Sequence, residues 1–135
     1  MKKSLVIIAA RGLGDLIYHL PLLRSLYESY KEKVIIISNK VNHSKEIYKN
    51  ETFYKKIIYF DNTRFSLFKT IKTIIDLKNL INQFNVDQLI LTGSPRRLMI
   101  PVYLSNVKEK IIFGGGKFLF TKDKNYQHLA YSEKI

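Results

Sequence analysis

The sequence predicts an α/β fold: a parallel sheet of about five strands flanked by helices, in one domain. Three observations carry this. Short continuous apolar runs rich in Ile, Val and Leu alternate with longer segments whose apolar residues recur at helical spacing. The connections between them are short and carry Gly, Asn, Asp, Ser or Pro. No repeat, low-complexity linker or shift in composition divides the 135 residues, a length that suits one hydrophobic core.

Each element has its own warrant. Residues 5–10 are apolar without interruption until Arg11-Gly12, the mark of a strand buried on both faces. Leu16, Leu20, Leu23 and Tyr27 then set a helical stripe over 15–30. Pro21 falls inside it, so a short first turn, a kink and a restart near Pro21 are expected. Residues 34–37 form a second strand, stopped by Ser38-Asn39, and a short helix follows at 44–49. A third strand at 57–60 ends at Asp61-Asn62. The strongest helical pattern spans 64–84, with Leu67, Ile71, Ile74, Leu77, Ile81 and Phe84 in one stripe and lysines between. Residues 89–91 are a fourth strand before Thr92-Gly93-Ser94-Pro95, a helix covers 96–104, and 110–113 is a fifth strand. Gly114-Gly115-Gly116 breaks the chain, and a last helix is expected to start near Tyr126.

Composition excludes several classes. There is no cysteine, hence no disulfide framework, cysteine nucleophile, iron–sulfur cluster or thiolate zinc site. His19 and His43 show no metal-ligand spacing with each other or with the acids. Lys2 and Lys3 ahead of the first apolar run imitate a signal peptide, but Arg11 cuts the run short and no stretch reaches membrane-spanning length. A soluble, cytoplasmic protein is expected. The 23 Lys+Arg against 11 Asp+Glu give a net charge of +12, spread along the chain, which attracts anionic surfaces without selecting one.

The segment Ala10-Arg11-Gly12-Leu13-Gly14-Asp15 joins the first strand to the first helix. In such sheets ligands bind beyond the carboxyl ends of the strands. Two glycines permit close backbone approach and positive φ, and Asp15 would lie in the first helical turn, where the helix dipole favours an anion. A dinucleotide fingerprint does not fit: Ile17 stands where its third glycine belongs, and Ser38-Asn39 stand where an acid would close the second strand. No Gly-Lys-Ser/Thr follows, which excludes a P-loop. The plain alternative is a tight turn followed by an ordinary helix-start acid.

The wider run Arg11-Gly12-Leu13-Gly14-Asp15-Leu16-Ile17-Tyr18-His19-Leu20-Pro21-Leu22-Leu23-Arg24-Ser25-Leu26 resembles the N-terminus of glycosyltransferase family 9, the lipopolysaccharide heptosyltransferases. Val86-Asp87-Gln88-Leu89-Ile90-Leu91-Thr92-Gly93-Ser94 is similar to the family's fourth strand and its glycine turn. Ile111-Ile112-Phe113-Gly114, an aromatic and basic loop, and then His128 resemble the close of its acceptor domain. The chain departs from the family where Tyr18 replaces a frequent His, with His19 one place later, and where Ala9 replaces a frequent basic residue.

The resemblance implies a Rossmann-like domain that is one half of a GT-B architecture, in which two such domains face a cleft. The N-terminal half would bind the acceptor, an anionic lipopolysaccharide core or other saccharide. The C-terminal half would bind the nucleotide-sugar donor, commonly ADP-heptose. Transfer would invert the anomeric carbon without a chelated metal, and no other cofactor is implied. Asp15 takes the role of base toward the acceptor hydroxyl. Gly12 and Gly14 shape the turn, and Arg11, Ser94, Arg96, Arg97, Lys117 and His128 are the candidate acceptor contacts, the arginines by bidentate pairing with phosphate or carboxylate.

With no second α/β unit after Ile135, the expectation is an acceptor-side domain over 1–135 that is inactive without a donor domain. It would be a truncated product, an excised domain or half of a split enzyme, with a separate donor-domain polypeptide and the inner-membrane surface as further candidate partners. Two other classes compete: a small basic module binding nucleotide or RNA through the glycine turn and lysines, and a remnant without a ligand. The chain lacks interleaved aromatic and basic recognition motifs, which argues against nucleic acid.

Overall fold

The computed structural model describes residues 1–9, 12–60, 66–93 and 96–113, with the side chains of Arg96 and Phe113 outside the description. In chain order the elements are β1 (Ser4–Ile8), α1 (Leu13–Tyr18), α2 (Leu20–Tyr30), β2 (Val34–Asn39), a 3-10 turn (Lys40–Asn42) and α3 (Ser44–Ile47). Then come β3 (Tyr54–Phe60), α4 (Leu67–Gln83), β4 (Gln88–Thr92), α5 (Arg96–Leu104) and β5 (Glu109–Phe113). The strands form one sheet in the order β3-β2-β1-β4-β5. Every neighbouring pair is parallel.

The central strand explains its own composition. All five residues of β1 are buried, because helices cover both faces of the sheet. Leu5 and Ile7 look toward α4 and α5, joining Leu77, Ile81, Leu98 and Val102 in one core layer. Val6 and Ile8 look the other way and meet Leu16, Leu23, Leu26, Tyr48 and Phe53 in the second. A buried aliphatic side chain contributes about 1.5–3 kcal/mol by leaving water, so these two layers dominate the stability.

The break in the first helical segment falls at His19, which ends α1 and precedes α2. Pro21 sits within the first turn of α2, where its missing N–H costs nothing. α2 ends at Lys31, whose left-handed backbone (φ 55°) lets its N–H reach the Tyr27 carbonyl at 2.8 Å.

Several boundaries shift from the sequence expectation. β2 runs through Ser38 and Asn39, both buried, because side-chain hydrogen bonds satisfy polar groups that read as strand terminators. β3 starts at Tyr54, three residues early, since an edge strand tolerates the exposed Lys55 and Lys56. α1 starts at Leu13 rather than near Asp15. In α4 the expected inward stripe holds only in part: Leu77 and Ile81 are buried, whereas Leu67 and Ile71 face solvent. Residues 114–116 and the helix expected near Tyr126 lie outside the described residues.

Candidate functional site

β1 and β4 lie side by side, with Ile8 opposite Thr92. Their connections leave in opposite directions: α1 and α2 cover one face on the way to β2, and α5 covers the other on the way to β5. This is a topological switch point, the part of the carboxyl rim at which doubly wound sheets generally bind ligands. Pairing persists up to the rim, since the Ala9 N–H donates to the Thr92 carbonyl at 3.2 Å and the Thr92 hydroxyl to the Ile7 carbonyl at 3.1 Å.

Asp15 stands on this rim. It occupies the first turn of α1 and is exposed. Among the described residues no hydrogen bond or ion pair engages its carboxylate. Gly12, the N-cap, has an extended backbone (φ −90°, ψ 154°) and no side chain to cap the first-turn N–H groups. A Cβ placed on Gly12 would stand 3.2 Å from Asp15 Oδ2, so the missing side chain makes room for the carboxylate. Gly14 lies within α1 with open space where its side chain would be. Neither glycine uses the positive φ that the turn suggested; that conformation belongs to Gly93 (φ 99°), directly after β4.

α1 is held from behind. His19 Nδ1 and the His19 N–H both meet the Asp15 carbonyl, which fixes the backbone carrying the carboxylate. The Tyr48 phenol donates to the Leu16 carbonyl at 2.6 Å. Burial pushes the Tyr48 phenol up from its ordinary value, which keeps it a donor.

Of the other sequence candidates, Arg97 is half-buried in the first turn of α5, on the β4 side of the switch point. Arg96 opens the same helix. Arg11, Ser94, Lys117 and His128 lie outside the described residues. The structure therefore gathers Gly12, Gly14 and Asp15 on one side of the switch point and the start of α5 on the other.

Two features escaped the sequence reading. His19 acts on the Asp15 backbone, a relation signalled only by its spacing of four residues. Asn39, at the carboxyl end of β2 beside β1, is buried with its side-chain oxygen accepting the Val41 N–H, while its Nδ2 has no partner among the described residues. A buried donor left without a partner is costly. The signal for Asn39 was two polar residues closing an otherwise apolar strand. Among the described residues no three His, Asp or Glu side chains converge as a metal site would require.

No protein-family model and no curated protein sequence matches the chain. Solved structures do. A glycosyl transferase family 9 protein from Veillonella parvula DSM 2008 superposes with a TM-score of 0.66 at 12% identity, covering 96% of this chain and 41% of that one. MurG from Acinetobacter baumannii gives a TM-score of 0.61 at 13% identity, covering 96% and 40%. This chain thus spans about two-fifths of the length of the structures it matches. At these identities the likeness shows the fold: a Rossmann-like α/β unit of the kind found in glycosyltransferases.

Proposed function

We propose that this chain is the acceptor-binding side of a glycosyltransferase, with Asp15 as the base. One observation carries the reading above all: an exposed carboxylate on the first turn after β1, at the switch point, in a fold shared with two glycosyltransferases. The sequence resemblance to lipopolysaccharide heptosyltransferases supports the same role for the same aspartate.

The chemistry follows from the nucleophile. A sugar hydroxyl attacks poorly until a group within hydrogen-bond reach accepts its proton. In the proposed reaction the acceptor oxygen bonds to the anomeric carbon from the face opposite the nucleoside diphosphate. The bond to the diphosphate breaks, its electron pair leaves with the phosphate, and the hydroxyl proton passes to the Asp15 carboxylate. The configuration inverts. α1, braced by His19 and Tyr48, holds the carboxylate in place, and such positioning supplies much of the effect. The arginines at the start of α5 suit an acceptor carrying phosphates or acidic sugars, such as a lipopolysaccharide core.

Stabilising the departing diphosphate is a large share of such catalysis, and it falls to a donor-binding unit, within the same polypeptide or supplied separately. The 1–135 unit alone would bind acceptor without turnover.

The test is binding by the chain itself. Titration with an acidic core oligosaccharide, followed by NMR, should shift the amides of residues 12–15 and 93–97, weaken with salt, and leave RNA unbound. A full-length protein carrying Asp15→Asn should bind acceptor normally and lose turnover. RNA displacing the saccharide from the same amides, or near-normal turnover of the variant, would overturn the reading.

A further inference from the structure

Three of the six residues of α1 are large apolar or aromatic side chains turned to solvent. Leu13 is 61% exposed, Ile17 58% and Tyr18 79%, against one buried residue, Leu16. Such a run exceeds the scattered singles normal for a surface. Tyr18 is placed differently from the other two. At about 100° per residue it projects between Gly14 and Asp15, one turn further on, whereas Leu13 and Ile17 lie on the far side of Gly14. Residues three or four apart on a helix have Cβ atoms about 5–6 Å apart, so one sugar ring can bridge from Tyr18 to the carboxylate of Asp15.

Two further observations mark the ring as part of a site. First, it is exposed but not unsupported. The His19 ring stands 6.1 Å from it and nearly perpendicular (85°), and His19 Nδ1 is itself bonded to the Asp15 carbonyl. The aromatic is thereby tied to the residue that presents the carboxylate. Second, no atom lies within 4 Å of the position that a Gly14 side chain would fill. Helical side chains lean toward the N-terminus, and on that side of Tyr18 the surface is open.

The mixture of groups decides what fits. A lipid tail or the apolar face of a protein would cover Tyr18 at the cost of burying the Asp15 carboxylate without a partner. An inorganic anion would be repelled by that carboxylate. A pyranose ring answers both groups. Its C–H groups suit the electron-rich face of an aromatic ring, and the hydroxyls at its rim donate to a carboxylate.

We propose that Tyr18 is the stacking platform of the acceptor site, its ring taking the C–H face of the sugar whose hydroxyl is presented to Asp15. This rests on the acceptor-side reading above and adds the contact that orients the sugar. His19 serves as a positioning residue for both the ring and the carboxylate.

The probe is a delipidated, phosphorylated lipopolysaccharide core oligosaccharide, titrated into the chain and followed by NMR. Sugar C–H protons should move upfield with the wild type and with Tyr18→Phe, and stay in place with Tyr18→Ala. Affinity should fall about tenfold in Tyr18→Ala, the scale of one lost aromatic contact, and stay within about twofold in Tyr18→Phe, which keeps the ring face. Phe68→Ala removes an equally exposed ring on the other side of the sheet and should bind as wild type. Circular dichroism should report unchanged helix in all variants, because both rings face solvent. If the oligosaccharide shifts the amides of residues 12–15 while Tyr18→Ala binds like wild type, the stacking role falls and the acceptor-side reading stands. If those amides never shift, both fall. A loss in Tyr18→Phe as large as in Tyr18→Ala also overturns the stacking role, because it assigns the contact to the hydroxyl.

Discussion

The Tyr48 hydroxyl donates a 2.6 Å hydrogen bond to the Leu16 carbonyl, tying the end of α3 to the helix that carries Asp15. Both residues are fully buried, so the bond is a structural strut with no competition from water. Tyr48→Phe keeps the ring contact with Phe53 and strands the Leu16 carbonyl. A loss of about 1–3 kcal/mol is expected from chemical denaturation. The phenol also sets a pH dependence. Its folded-state value is raised by burial above the ordinary 10.0, so above pH 10 the unfolded chain releases this proton more readily than the folded one. Tyr48 thus contributes stability below pH 10 that is lost as pH rises, at up to about 1.4 kcal/mol per pH unit. Denaturation curves across this alkaline range should show a shallower slope in Tyr48→Phe.

Gly12→Ala tests how closely the carboxylate of Asp15 is fitted to the turn. The backbone at Gly12 (φ −90°) suits alanine, so no backbone strain arises. The new methyl would sit 3.2 Å from Oδ2, and the exposed carboxylate can swing aside. Stability should stay within about 1 kcal/mol of wild type. Saccharide binding should hold, while turnover in a full-length protein should drop, because the base is displaced.

α4 predicts a contrast along one helix. Ile81→Ala empties a fully buried site between helix and sheet and should cost about 2–5 kcal/mol. Ile71→Ala, about three turns earlier on the displayed half, should lie within about 0.5 kcal/mol of wild type. Thermal melts of the two variants measure this directly.

The turn after β2 rests on Asn42. Its Oδ1 accepts from the Ser44 N–H at 3.1 Å, and its amide and the Ser38 hydroxyl are joined, all out of water. Asn42→Ala leaves these groups unpaired, at about 1–3 kcal/mol for each stranded group. Urea titration should place it among the costlier polar substitutions of the domain.

The strand–helix alternation was legible because β1, β2 and β4 are largely apolar and buried, and only a sheet covered on both faces asks for that. The kink before Pro21 and the span of α5 followed from local chemistry as well. The ends of β2 and β4 were misplaced for one reason. Ser38, Asn39, Gln88 and Thr92 are polar residues buried inside strands: Ser38 bonds to Asn42 and Asn39 accepts from Val41, just beyond β2, while the Thr92 hydroxyl reaches Ile7 of β1. A polar residue at the end of an apolar run does not by itself tell whether its groups are met by hydrogen bonds within a strand. The exposure of Leu67 and Ile71 was hidden for a similar reason: a helical stripe tells which residues share a face, but not how far along the helix the sheet extends beneath it. At the site, the position of Asp15 on the rim was legible from its place after a glycine turn. The brace from Tyr48, distant in sequence, was not.

The strand order also dictates a timetable for a chain emerging from the ribosome. β1, β2 and β3 can pair as soon as Phe60 is available, yet β1 ends at the middle of the finished sheet. Until Gln88–Thr92 has been synthesised, the side of β1 that will receive β4 remains an open, mostly aliphatic edge. A nascent or proteolysed fragment that stops short of β4 should therefore self-associate through that edge. In this molecule the most buried strand is also the one that waits longest for its second neighbour.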